Sequence, residues 1–221
     1  MALDIKICGL RTEAAVAAAA ARGATHVGFI HFPRSPRHLS LDEMAALRPA
    51  IPAPVKLVVV LVDPDDALVE AVANRVRPDI LQLHGKESPE RVAAVKALSG
   101  LPVMKALSVG AAADLLAVPR YAGAADRILL DAKQPKGSDL PGGNGVAFDW
   151  DLLAGLDPAQ PYILSGGLNP GNVAAVLARL EPAGIDLSSG VESAPGVKDL
   201  RLIHALFDAI GAASPIERTV S

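Results

Sequence analysis

The sequence has a single cysteine, Cys8, in 221 residues. A lone thiol excludes an internal disulfide and argues against a cysteine-based structural zinc site, so Cys8 is either a small buried residue or a working thiol. Charge of one sign is also lacking. Lys and Arg number 21 against 24 Asp and Glu, a formal net charge of −3, which gives neither a nucleic-acid footprint nor the profile of a disordered acidic chain. No apolar run approaches the roughly 18 residues needed to span a bilayer, and residues 1–8 show no basic stretch leading into an apolar one. The expectation is a soluble, cytoplasmic protein with no membrane and no nucleic-acid partner.

Apolar residues, in contrast, make up 51% of the chain, enough to bury a sizeable core in one domain. They fall in short runs separated by breakers, and read as strands at 5–8, 26–30, 55–62, 79–83, 102–107, 127–131, 162–165 and 185–188. Helical patterns lie between and after them, at 12–21, 41–47, 65–76, 89–98, 111–121, 149–153, 170–180 and 199–210. Thr12, Ser40 and Ser88 stand where N-caps belong, and Gly23 and Gly100 where helices end. Eight strand-helix units in this length point to an α/β fold, a compact single-domain (β/α)8 TIM barrel over 1–211, with 212–221 a loose C-terminal tail. An open doubly wound sheet is the alternative.

Residues 161–170, PYILSGGLNP, are the stretch around which the rest is organised. A short strand ends in Gly166 and Gly167, and Asn169 then Pro170 read as an N-cap and first helical residue. Unpaired N–H groups and a partial positive charge at a helix start suit an anion, so this is a candidate phosphate cup. A second short strand, GIDLSSG at 184–190, delivers Ser188, Ser189 and Gly190. Barrels of this class commonly bind phosphate with the loops after strands 7 and 8.

Two loops exceed the usual length, and both follow strands, at the end where barrel active sites lie. Residues 31–39 carry Arg34, Arg37 and His38; residues 132–147 hold Gly137, Gly142, Gly143, Asn144 and Gly145 and read as a lid. Alternation along the strands puts Ile5, Ile7, Leu81, Leu83, Ile128, Leu130, Ile185 and Leu187 outward. Lys6, Cys8, Gln82, His84, Leu129, Asp131, Asp186 and Ser188 then point inward. Such polar groups must either satisfy one another or wait for a ligand. Lys6 and Lys105 sit lower and suit internal ion pairs, whereas Cys8 and Asp131 each end a strand. A thiol and a carboxyl across a barrel mouth, above a phosphate cup, suggest acid-base chemistry on a phosphorylated small molecule. A lysine or helix N-terminus near Cys8 would favour the thiolate a base needs, while Asp131 must keep its proton, which partial burial favours.

Longer stretches carry a family likeness: KICGL at 6–10, GFIHFPRSPR at 28–37, LQLHG at 81–85, LLDAK at 129–133, GGNGVAFDW at 142–150, LSGGLNPGNV at 164–173 and DLSSGVESAPGVKD at 186–199. In this order, over nearly the whole chain, they resemble the phosphoribosylanthranilate isomerases of tryptophan biosynthesis. The resemblance implies an intramolecular oxidoreductase of the aldose-ketose isomerase type, acting on a small phosphoribosyl substrate by an Amadori rearrangement. It implies no metal and no cofactor, and both monomers and homodimers. Asp131 matches the general acid and Cys8 the general base. Arg37 matches the position that holds the anthranilate carboxylate, a role suited to a planar guanidinium. Gly166, Gly167, Ser189 and Gly190 fit the phosphate cup, and Asp186 and Ser188 the sugar. His84 either touches substrate or bonds within the interior, and Asp63, before Pro64, reads as a turn or cap. Asn144 replaces a usual threonine in the lid, and His31 a common aromatic.

Two other readings compete. A phosphoribosyl isomerase of histidine biosynthesis would carry a phosphate cup in each half, but the early strands end in VDPDD and LHGKE with no SGG-like copy. A non-catalytic barrel that binds a phosphorylated metabolite would need neither Cys8 nor Asp131.

Overall fold

The computed structural model describes residues 3–132, 150–156 and 160–213. Eight parallel strands, β1 (Asp4–Cys8), β2 (His26–His31), β3 (Lys56–Leu61), β4 (Ile80–Leu83), β5 (Val103–Val109), β6 (Arg127–Ala132), β7 (Ile163–Leu164) and β8 (Gly184–Leu187), close into a barrel in sequence order. Closure is made by β1 on β8, where Ile5 opposes Ile185 and Lys6 opposes Asp186. The helices are α1 (Glu13–Ala21), α2 (Leu41–Leu47), α3 (Asp66–Ala71), α4 (Pro89–Ser99), α5 (Val173–Arg179) and α6 (Leu200–Ala213). The anticipated lid residues Gly143, Asn144 and Gly145, and the tail beyond 213, lie outside the described residues.

The caps work as the sequence implies. Thr12 Oγ1 accepts from Ala15 N–H, Ser88 Oγ from Arg91 N–H, and Ser40 and Glu43 bond reciprocally in a capping box. Gly100 closes α4 in the left-handed region at φ 66. Alternation then separates two cores. Ile5, Ile7, Leu81, Leu83, Ile128, Leu130, Ile185 and Leu187 join the layer between barrel and helices, while Val58, Ile80, Met104, Ala106, Leu129 and Ile163 fill the barrel itself.

Four local expectations change. The stretch at 111–121 forms a 3₁₀ helix, Ala112–Tyr121, rather than an α-helix: Asp114 accepts from the N–H groups of Gly110 and Ala111, and Pro119 inside it has no N–H to continue an α ladder. The short helix anticipated at 149–153 is likewise 3₁₀, Trp150–Gly155. After Ala71 the third helix widens into one π turn, Val72–Val76, ending on the left-handed Arg77. The helix after β7 begins at Val173 and not at Pro170, because Asn169 and Asn172 first build a turn. Asn172 Oδ1 accepts from Asn169 N–H at 2.8 Å, Asn169 Oδ1 from Gly171 N–H at 2.8 Å, and both amide nitrogens donate to the Gly167 carbonyl.

Past β8 the chain makes a 3₁₀ turn, Ser189–Val191, and a hairpin of β9 (Glu192–Ala194) and β10 (Val197–Lys198) that alternation did not signal. Lys105 is buried as anticipated but on the other face of the sheet. It shares parity with Val103, which packs outward, and its ammonium meets Glu87 Oε2 at 2.8 Å and the Gly85 carbonyl at 2.9 Å.

Candidate active site

The C-terminal ends of the strands bring the sequence candidates to one mouth. Cys8 ends β1 and is buried, 5% exposed. Gly28 opposes it in register, and a Cβ there would lie 2.9 Å from Cys8 Sγ, so the missing side chain on β2 is the room the thiol occupies. Beneath it Lys6 donates to Asp186 Oδ1 at 2.9 Å in a fully buried pair. Burial alone would pull the Lys6 ammonium down, but Asp186 and Cys8 together outweigh it and hold the lysine above its ordinary value. The positive charge that favours a thiolate is therefore present. Burial nonetheless wins at the sulfur: it pushes the Cys8 thiol above 9.0, with Lys6 and Lys198 opposing and Asp186 reinforcing the rise.

Asp131, near the end of β6, is 3% exposed. His84, just past β4, sets its Nε2 3.3 Å from Asp131 Oδ2, near enough to feel the carboxyl though poorly aligned for a hydrogen bond. Gln82 Nε2 donates to His84 Nδ1 at 3.2 Å, which leaves the ring proton on the nitrogen facing Asp131. His84 thus bonds within the interior while its edge remains at the mouth.

The loops after β7 and β8 meet. Gly166, at φ 91, presses its α-carbon against β6, where a Cβ would stand 2.5 Å from Ala132 N. At Gly190 a Cβ would fall 1.8 Å from the Leu168 carbonyl oxygen, so both loops depend on glycine to approach so closely. Gly190 therefore lies against Leu168, the residue after Gly167, which brings the two loops together, while Ser188 Oγ donates to the Cys8 carbonyl at 3.1 Å and links that corner to β1.

Arg37 departs from a solvated loop charge. It is 4% exposed and forks onto Glu192, with Nε to Oε1 at 2.8 Å and Nη2 to Oε2 at 2.7 Å. Lys198 Nζ meets the same carboxylate at 2.6 Å and the Ser188 carbonyl at 2.9 Å. Burial alone would push the Glu192 carboxyl up, but Arg37 and Lys198 outweigh it and hold it below its usual value. Neither Glu192 nor Lys198 stood out in the sequence as a site residue. The available signal was the Pro195-Gly196 turn between two short runs, which marks a hairpin. Asp63 is a turn residue as read: Lys86 N–H donates to its Oδ1 at 2.6 Å. His31, where an aromatic was anticipated, bonds the Leu39 carbonyl through Nδ1 at 2.9 Å and packs 4.9 Å from the His38 ring.

Comparison with known proteins identifies the family. Residues 5–209 match the family model described as N-(5'-phosphoribosyl)anthranilate (PRA) isomerase. The Brucella canis N-(5'-phosphoribosyl)anthranilate isomerase is 57% identical over 214 residues, 97% of this chain and 96% of that protein. Among solved structures, phosphoribosyl anthranilate isomerase from Thermus thermophilus superposes with a TM-score of 0.85 at 33% identity, covering 96% of this chain and 100% of its own. Another, in complex with reduced 1-(o-carboxyphenylamino)-1-deoxyribulose 5-phosphate, does so at 0.83 and 30% identity over the same shares. A family match over nearly the whole barrel, with the acid-base candidates at its mouth, has one meaning: the chain belongs to the N-(5'-phosphoribosyl)anthranilate isomerase family.

Proposed function

We propose that Asp131 and Cys8 are the acid and base of the family's reaction, the rearrangement of N-(5-phosphoribosyl)anthranilate to 1-(2-carboxyphenylamino)-1-deoxyribulose 5-phosphate. One observation carries the reading: a buried thiol and a buried carboxyl end strands three places apart in the barrel, at the mouth where the two glycine loops meet. Asp131 gives a proton to the furanose ring oxygen as the bond from that oxygen to C1 breaks, and the nitrogen lone pair forms the C1=N Schiff base. The Cys8 thiolate then takes the proton from C2. The electron pair left behind makes an enolamine, which regains a proton at C1 as the C2 hydroxyl becomes the ketone. The reaction is an isomerisation, so atoms and electrons balance within the substrate, and this route calls on no metal or cofactor.

Gly166, Gly167, Ser189 and Gly190 hold the phosphate through backbone N–H groups and the Ser189 hydroxyl, and Arg37 receives the anthranilate carboxylate. Ser188 and Asp186 lie on the sugar side, Asp186 already tied to Lys6. His84 steadies Asp131. Membership in a family of biosynthetic enzymes supports a cytoplasmic enzyme; among the described residues no helix is long and apolar enough to cross a membrane. Dimeric and monomeric forms of a Thermotoga maritima relative support either state for this chain.

The test is the decay of phosphoribosylanthranilate fluorescence with the parent, Cys8→Ala and Asp131→Asn. Both variants should lose about 10²-fold or more of kcat. Full activity in either removes that residue from the assignment.

A further inference from the structure

The hairpin after β8 brings a cross-strand pair, Glu192 on β9 and Lys198 on β10, against Arg37 from a loop 155 residues earlier. All three side chains are buried, between 3% and 5% exposed. The Glu192 carboxylate takes four donors: Arg37 Nε and Lys198 Nζ at Oε1, Arg37 Nη2 and Gly196 N–H at Oε2. Its lone pairs are thus committed, and it cannot swing away without stranding buried cations. The hairpin tip is wedged as well, since a Cβ on Gly196 would lie 2.4 Å from the Pro36 carbonyl oxygen, next to Arg37. Arg37 is therefore clamped from its backbone neighbour and from its guanidinium.

Lys198 adds a further donor to the Glu192 carboxylate, with burial pulling its ammonium below the ordinary lysine value and Glu192 opposing. Lys198 also anchors to the Ser188 carbonyl and sits 3.3 Å from Ser188 Oγ, which bonds the Cys8 carbonyl, so the clamp is tied to the strand that carries the base.

We infer that Glu192 and Lys198 are positioning residues that preset Arg37 for the carboxylate on the substrate's aromatic ring, an inference that rests on the role given to Arg37 above. Preorganising a long side chain spares the substrate the cost of ordering it. Glu192→Ala should raise KM for phosphoribosylanthranilate about tenfold or more with kcat within about threefold, and Glu192→Gln, which keeps an acceptor oxygen, should recover part of it. Inhibition by inorganic phosphate, which needs the glycine loops and has no use for Arg37, should not change in either variant. An unchanged KM in Glu192→Ala overturns the inference, and so does an equal weakening of phosphate, which would mark a general collapse. Arg37→Met separates the two levels. If Arg37→Met leaves KM unchanged, the reading of Arg37 fails; if it raises KM while the Glu192 variants do not, only the clamp fails.

Discussion

If Cys8 is the base, the pH dependence of the enzyme follows from its burial. Only the thiolate can take the C2 proton, and the thiol is pushed above 9.0. At pH 7 the thiolate is then a small minority of the enzyme, and below the thiol's own titration each unit of pH multiplies it about tenfold. Over the range in which Asp131 keeps the proton it must donate, the profile of kcat/KM, which reports the free enzyme, climbs above neutrality with a slope near one per pH unit. Replacing Cys8 by Asp supplies a base that ionises well below neutrality, at about 4 when unperturbed. Lys6 beneath it favours the charged form, while burial and Asp186 oppose it. The rising limb of Cys8→Asp should therefore move below pH 7, and at pH 6 the variant should retain at least about ten times the parent's fraction of its own maximum, whatever its absolute rate. The assay is the initial rate of fluorescence loss across pH 5.5 to 9.5 at constant ionic strength. A limb that stays at the parent's position would show that another group titrates and would refute the assignment of Cys8 as base.

Three further outcomes follow from single contacts. Glu87→Ala strands the buried Lys105 ammonium and frees the backbone N–H groups of Asp63 and Gly85, so unfolding in urea should show a loss of about 3–5 kcal/mol, and a loss under about 1 would refute the ion pair as a staple. Gly190→Ala drives a methyl into the Leu168 carbonyl and should part the two glycine loops; KM should rise about tenfold or more and inorganic phosphate should cease to inhibit, whereas unchanged phosphate inhibition would place the cup elsewhere. His26, buried at the opposite end of the barrel, is lowered to about 4 by burial and by Arg127, Lys6 and Lys56, with Asp4 opposing. The unfolded chain then binds the extra proton more readily, so this contribution is complete above about pH 6.5 and is lost as pH falls toward 4, at most about 3 kcal/mol; thermal melts of His26→Gln against parent should converge at low pH, and parallel curves would refute it.

The eight strands, the caps and the sides the side chains face were legible because each depends on neighbours in sequence. A strand's parity needs only residues two apart, and an N-cap only a residue and the N–H three positions on, as at Ser40 and Glu43. The motifs also made Cys8, Asp131, Arg37 and the glycine loops candidates. Less legible were stretches where local options compete closely. At 112–121 an aspartate and a proline tip an apparent α-helix into a 3₁₀ one, and at 169–172 two asparagines delay the start of α5.

Ion pairs could be expected at Lys6 and Lys105, but the partners could not be read. Lys6 meets Asp186 across 180 residues and Arg37 meets Glu192 across 155, and neither partner is signalled by anything near it in the chain. Grouping Lys105 with Lys6 as an interior cation also misled: its parity with Val103 turns it outward, toward Glu87. The sequence by itself determined the barrel and the residue types at its mouth, since local periodicity and turn chemistry are enough for both. Only the tertiary structure decided which charges are buried together and how far the thiol is desolvated, because those quantities depend on through-space neighbours that closure of the barrel alone brings into contact.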